Sequence, residues 1–236
     1  MRKFLLLAGL FLGLNGCYPV ADEYYLLGYT KYLFGDYKEA LAEFSRAIEV
    51  DPQYAPAYSI RGIVRIMIGD YQGAIADCTK ATEIDPGNAQ AFYLRGIAKS
   101  AVRDYSGAIG DFSRATKIEP GYAEAYYRMG LVKNELGDYH GAISDFSRAI
   151  EIDPDYAELY YSRGFVKCSL SDYAGAAEDF SKVIEIEPNH EYAYYIRGIA
   201  KFELGDLKGA CLDWGNSFEL GIGLSEAYEL ILEYCW

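Results

Sequence analysis

The chain is 236 residues long, and 51% hydrophobic, 24% charged and 16% aromatic content excludes both an intrinsically disordered chain and, with charge spread throughout, a polytopic membrane protein. Its 22 Lys and Arg face 35 Asp and Glu, and a net charge of -13 argues against duplex nucleic acid as a partner, because phosphate binding needs clustered cations. The unusual count is 24 tyrosines.

The N-terminus begins Met1-Arg2-Lys3, runs apolar from Phe4 to Leu14, and reaches Leu14-Asn15-Gly16-Cys17. A basic start, a short apolar stretch and a small residue at the end make an export signal over residues 1–16. As a helix the apolar run would rise only about 16 Å, roughly half of a bilayer's hydrocarbon core, too short for a permanent anchor. Gly16-Cys17 resembles the lipobox of bacterial lipoproteins, in which the cysteine is acylated and becomes the mature N-terminus; Asn15 departs from that pattern. The resemblance implies lipidation of Cys17, a linker over residues 17–20 and a membrane-held protein. With Tyr18 in place of an aspartate, it implies the outer membrane, facing the periplasm. An ordinary cleavable signal with an incidental cysteine is the alternative. Two or three acyl chains would anchor the protein stably, at about 0.8 kcal/mol per buried methylene.

From residue 21 onward the sequence repeats. Prolines stand at 52, 86, 120, 154 and 188, 34 residues apart, and Gly35-Asp36-Tyr37, Gly69-Asp70-Tyr71, Arg103-Asp104-Tyr105, Gly137-Asp138-Tyr139, Ser171-Asp172-Tyr173 and Gly205-Asp206-Leu207 keep the same phase. A 34-residue period is the signature of stacked helix pairs. The units are 21–54, 55–88, 89–122, 123–156, 157–190 and 191–224. In each, the first helix stops at position fifteen, where glycine suits the left-handed C′ conformation, and the aspartate at sixteen is placed to cap the second helix. Asp36 with Glu39 reads as a capping box. The second helix carries a small-large-small stripe such as Ala142, Phe146 and Ala149, and Asp153-Pro154 ends it. Residues 225–236 read as a closing helix with Ser225 as N-cap, and with Ala227, Leu230, Ile231 and Tyr234 placed to cover the end of the stack.

Tyr or Phe at unit position four, Gly at eight, Ala at twenty, an aromatic at twenty-four, Ala at twenty-seven and Pro at thirty-two together resemble the tetratricopeptide repeat (TPR) family over residues 21–224. Cys78 at twenty-four, and Val183 and Ser217 at twenty-seven, are local departures. The resemblance implies an all-α fold, a right-handed α-α superhelix of six helix pairs with a C-terminal capping helix. It also implies a concave face lined by positions two, five, nine and twelve of the first helices. Here that face offers Tyr25, Tyr29, Tyr93, Ile97, Tyr127, Leu131, Tyr161, Phe165, Tyr195 and Ile199, an apolar, tyrosine-rich groove suited to a peptide or protein segment. The competing reading is that these rings pack between neighbouring helices. The Lys and Asn residues of the chaperone-binding carboxylate clamp have no match here.

No catalytic, metal or cofactor constellation stands out: His140 and His190 sit beside loop signals, and the aspartates recur in phase, as capping and ion pairing require. Position eleven is basic in all six units (Lys31, Arg65, Lys99, Lys133, Lys167, Lys201) and position twenty-three acidic (Glu43, Asp77, Asp111, Asp145, Asp179, Asp213). Arg61, Arg95, Arg163 and Arg197 at position seven share the face of these cations. Structural pairing of the exposed-surface kind, about 0 to 1 kcal/mol each, is the favoured reading, and a cationic track for an anionic ligand the alternative. If the last repeat helix and the tail pack antiparallel about Gly221-Ile222-Gly223, Cys211 falls close to Glu233, so a Cys211–Cys235 disulfide is within reach; two separate buried thiols are the alternative. Cys78, at an aromatic core position, reads as inert. Taken together the sequence predicts a non-catalytic adaptor without cofactor, metal or nucleic acid, lipid-anchored in the bacterial envelope and binding a protein or peptide. The alternatives are a scaffold for cell-wall enzymes using its acidic outer surface, or a cytoplasmic TPR cochaperone with the N-terminus retained.

Overall fold

The computed structural model describes residues 20–221 and 226–235, which form thirteen α-helices and no strand. They are α1 (Val20–Leu33), α2 (Tyr37–Val50), α3 (Ala55–Met67), α4 (Tyr71–Ile84), α5 (Ala89–Ala101), α6 (Tyr105–Ile118), α7 (Ala123–Glu135), α8 (Tyr139–Ile152), α9 (Ala157–Ser169), α10 (Tyr173–Ile186), α11 (Glu191–Glu203), α12 (Leu207–Leu220) and α13 (Glu226–Tyr234). The export signal, Cys17 and the Ser225 cap lie outside the described residues, as does the side chain of Ala227. The chain divides at Pro86 into two compact units, α1 to α4 and α5 to α13. Within each, consecutive helices pack in order, first helix against second and second against the next first. No described helix is long and apolar enough to cross a membrane.

The turn between paired helices is dictated by position fifteen. Gly35, Gly69, Gly137 and Gly205 hold φ between 77° and 82°, and Arg103 and Ser171 are forced to 63° and 59° at the same place. The next N–H then reaches back five residues: Asp70 N–H donates to the Arg65 carbonyl at 2.8 Å and Asp138 N–H to that of Lys133 at 2.9 Å, closing a Schellman turn. Asp70, Asp104, Asp138, Asp172 and Asp206 cap the second helix, each accepting from the N–H three residues on at 2.9–3.0 Å. That residue is glycine in all five, and a Cβ there would overlap the capping carboxylate. Glu39 carries such a Cβ. The expected capping box is accordingly absent: Asp36 makes no cap hydrogen bond and lies 3.8 Å from Lys31 instead.

The core is the phased stripe of the second helices. Phe44, Cys78, Phe112, Phe146, Phe180 and Trp214 are buried to 1% exposure or less, between equally buried residues at positions twenty and twenty-seven. Glycine at position eight admits them; a Cβ on Gly96 would stand 2.6 Å from the Phe112 ring. Each ring so buried contributes on the order of 2 kcal/mol. Positions three and ten are apolar and buried in the later repeats, as Ala57 with Val64 and Ala193 with Ala200, whereas α1 has exposed Glu23 and Thr30 there. At the C-terminal end Tyr234 packs on Phe202 at 4.7 Å and Trp214 at 6.4 Å, Tyr228 stacks on Phe218, and Leu230 and Ile231 are half-buried. Cys211 and Cys235 are joined as a disulfide with Cα atoms 5.7 Å apart.

Candidate functional site

The phased charges sort themselves first. Asp77, Asp111, Asp179 and Asp213 are buried to between 2% and 5% exposure, and a first-helix arginine grips both oxygens of each. For Arg163 on Asp179, Nε donates at 3.0 Å and Nη2 at 2.6 Å; Arg61, Arg95 and Arg197 repeat the arrangement. The position-eleven cation adds a second charge to each carboxylate, from Arg65 at 3.0 Å, Lys99 at 2.7 Å, Lys167 at 2.8 Å and Lys201 at 2.7 Å. Nη1 of Arg61, Arg163 and Arg197 then donates to Ser45, Ser147 and Ser181 of the preceding repeat. These cations are engaged inward and form no track. The burial corrects the exposed-pair expectation: removing one partner from a buried pair costs about 3 to 5 kcal/mol. The ladder is also incomplete. Glu43 pairs with Arg46 at 2.8 Å, and Asp145, with Met129 in the arginine's place, keeps only Lys133 at 2.7 Å. Burial pushes the Asp145 carboxyl above its ordinary range, with Lys133 opposing.

The tyrosines at position five behave in two ways. In the first unit Tyr25 is half-buried against Phe44 at 5.9 Å and edge-on to Tyr54 at 5.5 Å, while Tyr29 is 38% exposed. Among α5 to α13 Tyr93 lies on Phe112 and Tyr122, Tyr127 on Phe146 and Tyr156, and Tyr161 on Phe180 and His190, at centroid distances of 5.0–6.2 Å. The Tyr93 hydroxyl donates to Glu124 at 3.2 Å and that of Tyr127 to Glu158 at 3.3 Å, so each ring reaches the next repeat. Burial pushes both hydroxyls up, to about 12, keeping them as donors. Tyr195, Ile97, Leu131 and Ile199 are half-buried, Ile97 and Leu131 within the cores around Phe112 and Phe146. Much of the predicted groove is thus inter-repeat packing.

Among α5 to α13, what remains accessible on this face is in α9 and its neighbours. Phe165 is 51% exposed, Tyr156 41% and Tyr192 51%. Sequence reasoning missed two of the three because it followed positions five and nine. The signal was in positions two and thirty-four: Glu124, Glu158 and Tyr192 at the former, Tyr54, Tyr122, Tyr156 and His190 at the latter. An open concavity of about 510 Å³ adjoins Tyr192, lined by Glu187, His190 and Glu191. Another of about 610 Å³, between α9 and α10, is lined by Arg163, Lys182 and Glu185, whose charges are already paired. His190 spends Nδ1 on capping α11, accepting from Ala193 N–H at 3.2 Å. Burial pushes the Cys168 thiol up to about 11, and Cys78 is enclosed beside Gly62. Among the described residues no three His, Cys, Asp or Glu side chains converge as a metal site.

Family models of tetratricopeptide repeats match residues 25–89, 130–168 and 157–190. No curated protein matches the sequence. Among solved structures, MamA is 28% identical, with 68% of this chain and 94% of that one covered and a TM-score of 0.66. YrrB, described as a TPR protein with an unusual peptide-binding site, is 22% identical over 80% and 96% at a TM-score of 0.69. The pilF protein of Pseudomonas aeruginosa is 18% identical over 90% and 97%, at 0.73.

Proposed function

Because the chain carries tetratricopeptide repeats over most of its described length, we propose that it is a non-catalytic adaptor, held in the bacterial cell envelope by lipid on Cys17, that binds a peptide or protein segment on its first-helix face. The observation that carries the binding reading is that Phe165, Tyr156 and Tyr192 are left 41–51% exposed while Tyr93, Tyr127 and Tyr161 on the same face are packed. Rings of this kind offer contact area at small entropic cost. YrrB's described peptide-binding site supports the same use of the fold. The anchor reading rests on residues 1–17, with repeats dividing as 21–54 through 191–224.

The test is photo-crosslinking in the envelope from Phe165 and, as a control on a second helix, from Leu212, which is 62% exposed. Capture of one partner from position 165 alone supports the adaptor. Capture only from 212 overturns it and favours an outer-surface scaffold. Intact mass of the mature protein tests the anchor: Met1 to Gly16 retained, without acylation, would sink it.

A further inference from the structure

Glu158 is the carboxylate of the ring cluster without an ion pair among the described residues; the nearby Arg128 guanidinium, over the Tyr127 ring at 5.9 Å, is paired elsewhere. Glu124, the equivalent carboxylate one repeat earlier, is paired with Arg128 at 3.0 Å. The Glu158 carboxylate takes the Tyr127 hydroxyl at 3.3 Å and has no ion-pair partner among the described residues. It lies on α9 one repeat before Tyr192 and seven residues before Phe165, the spacing of two helical turns, so the carboxylate and the exposed ring share one face. Tyr156 flanks it from the edge-on Tyr127 contact at 6.2 Å. The Tyr161 hydroxyl, raised first by burial, is raised further by the Glu158 charge and by Tyr192, which puts all three groups in one neighbourhood. The adjoining concavity adds Glu187 and Glu191, with no Lys or Arg in its lining; its imidazole, His190, has Nδ1 engaged in the α11 cap.

We infer that Glu158, Tyr156 and Tyr192 form a subsite for a basic side chain, so that the segment bound in the groove carries an Arg or Lys there and an apolar residue for Phe165, two helical turns further along α9. A guanidinium or ammonium set over exposed ring faces and beside a carboxylate gains from both the ring quadrupoles and the opposite charge. A neutral or acidic segment would leave Glu158 covered and uncompensated, which is the discriminating term. The inference rests on the groove reading above and names the chemistry of its occupant.

The probes are three fluorescein-labelled nonapeptides of Leu, Pro and Gly that differ only at the central residue: Arg, Lys or citrulline, the neutral isostere of Arg. Binding to the full mature chain is read by anisotropy at about 150 mM salt, where the Debye length of about 8 Å mutes the protein's overall negative charge. The Arg and Lys peptides are expected to bind at least tenfold tighter than the citrulline peptide. Glu158→Gln, which keeps an acceptor for Tyr127, should abolish that preference, whereas Glu219→Gln on another helix should leave it intact. Equal binding of the Arg and citrulline peptides, or a preference that survives Glu158→Gln, overturns the subsite and leaves the groove standing. Absence of binding by all three peptides, with crosslinks from Phe165 also missing, removes both.

Discussion

Substituting Arg163 with Met reproduces at Asp179 the environment that Asp145 already has beside Met129. Two hydrogen bonds to a buried carboxylate, at 3.0 and 2.6 Å, are lost, together with the 2.9 Å bond to Ser147 that ties the repeat to its predecessor. Bonds to charged groups contribute about 1.5–3 kcal/mol each, so two of them bound the gross loss near 3–6 kcal/mol. Two effects reduce it. Lys167 stays 2.8 Å from Asp179, so the carboxylate keeps one cation, and the new methionine buries apolar surface for about 1.5 kcal/mol. The net expectation is about 2–3 kcal/mol of destabilisation, or a fall of roughly 4–12 °C in melting temperature for a chain of this size. Arg163→Lys should fall between, since it restores charge but not the two-pronged grip. Urea unfolding followed by circular dichroism measures it, with the slope checked for loss of cooperativity between repeats. A change below about 0.5 kcal/mol for Arg163→Met would show that the arginine ladder sets register without stabilising, and would refute the buried-pair argument.

Asp138→Ala should cost about 1 kcal/mol through loss of the α8 cap, and Asp36→Ala only a few tenths, because Asp36 makes no cap bond; paired thermal melts compare them. Ser171→Gly, which relieves a φ of 59°, should stabilise by about 0.5–1 kcal/mol in the same assay, and a loss of stability would contradict the turn analysis. Cys211→Ser releases a loop of 24 residues, worth about 3 kcal/mol in the chain-entropy account, and should raise hydrogen exchange in α12 and α13 while leaving α7 to α9 unchanged. Asp145 has a folded-state pKa raised above its ordinary 3.8, so the folded form holds its proton more tightly and stability falls as pH rises through that window. Asp145→Asn should flatten the fall, and an unaltered acid profile would count against the assignment.

The helices were legible because their signals recur in phase. Gly at eight, the aromatic at twenty-four and the aspartate at sixteen each satisfy one local demand, a close approach, a core or a cap, and the structure meets those demands repeat after repeat. Phase alone misleads at two places: Asp36 looks like its counterparts, yet one Cβ on Glu39 removes the cap, and Glu43 sits in the acidic column without the arginine that makes the column a ladder. The buried state of those carboxylates was likewise invisible, since sequence shows that charges alternate but not that two cations converge on one oxygen pair.

The candidate site follows the opposite rule. A residue that recurs at every repeat is serving the repeat, as Tyr93, Tyr127 and Tyr161 do by covering the ring behind them and reaching the next helix. A surface that selects a partner has to differ from one repeat to the next, because a ligand has only one register along it. Phe165 is the lone phenylalanine in a column otherwise aliphatic or tyrosine, and Glu158 is followed 34 residues on by Tyr192 where Glu124 precedes it. Two of those breaks, Phe165 and Tyr192, are rings that the fold leaves half exposed. Exchanging Phe165 for the column's Ile should therefore leave stability within about 0.5 kcal/mol, as expected of an exposed position, while reducing crosslinked partner severalfold. A large drop in melting temperature with capture retained would assign Phe165 to packing and remove it from the binding face.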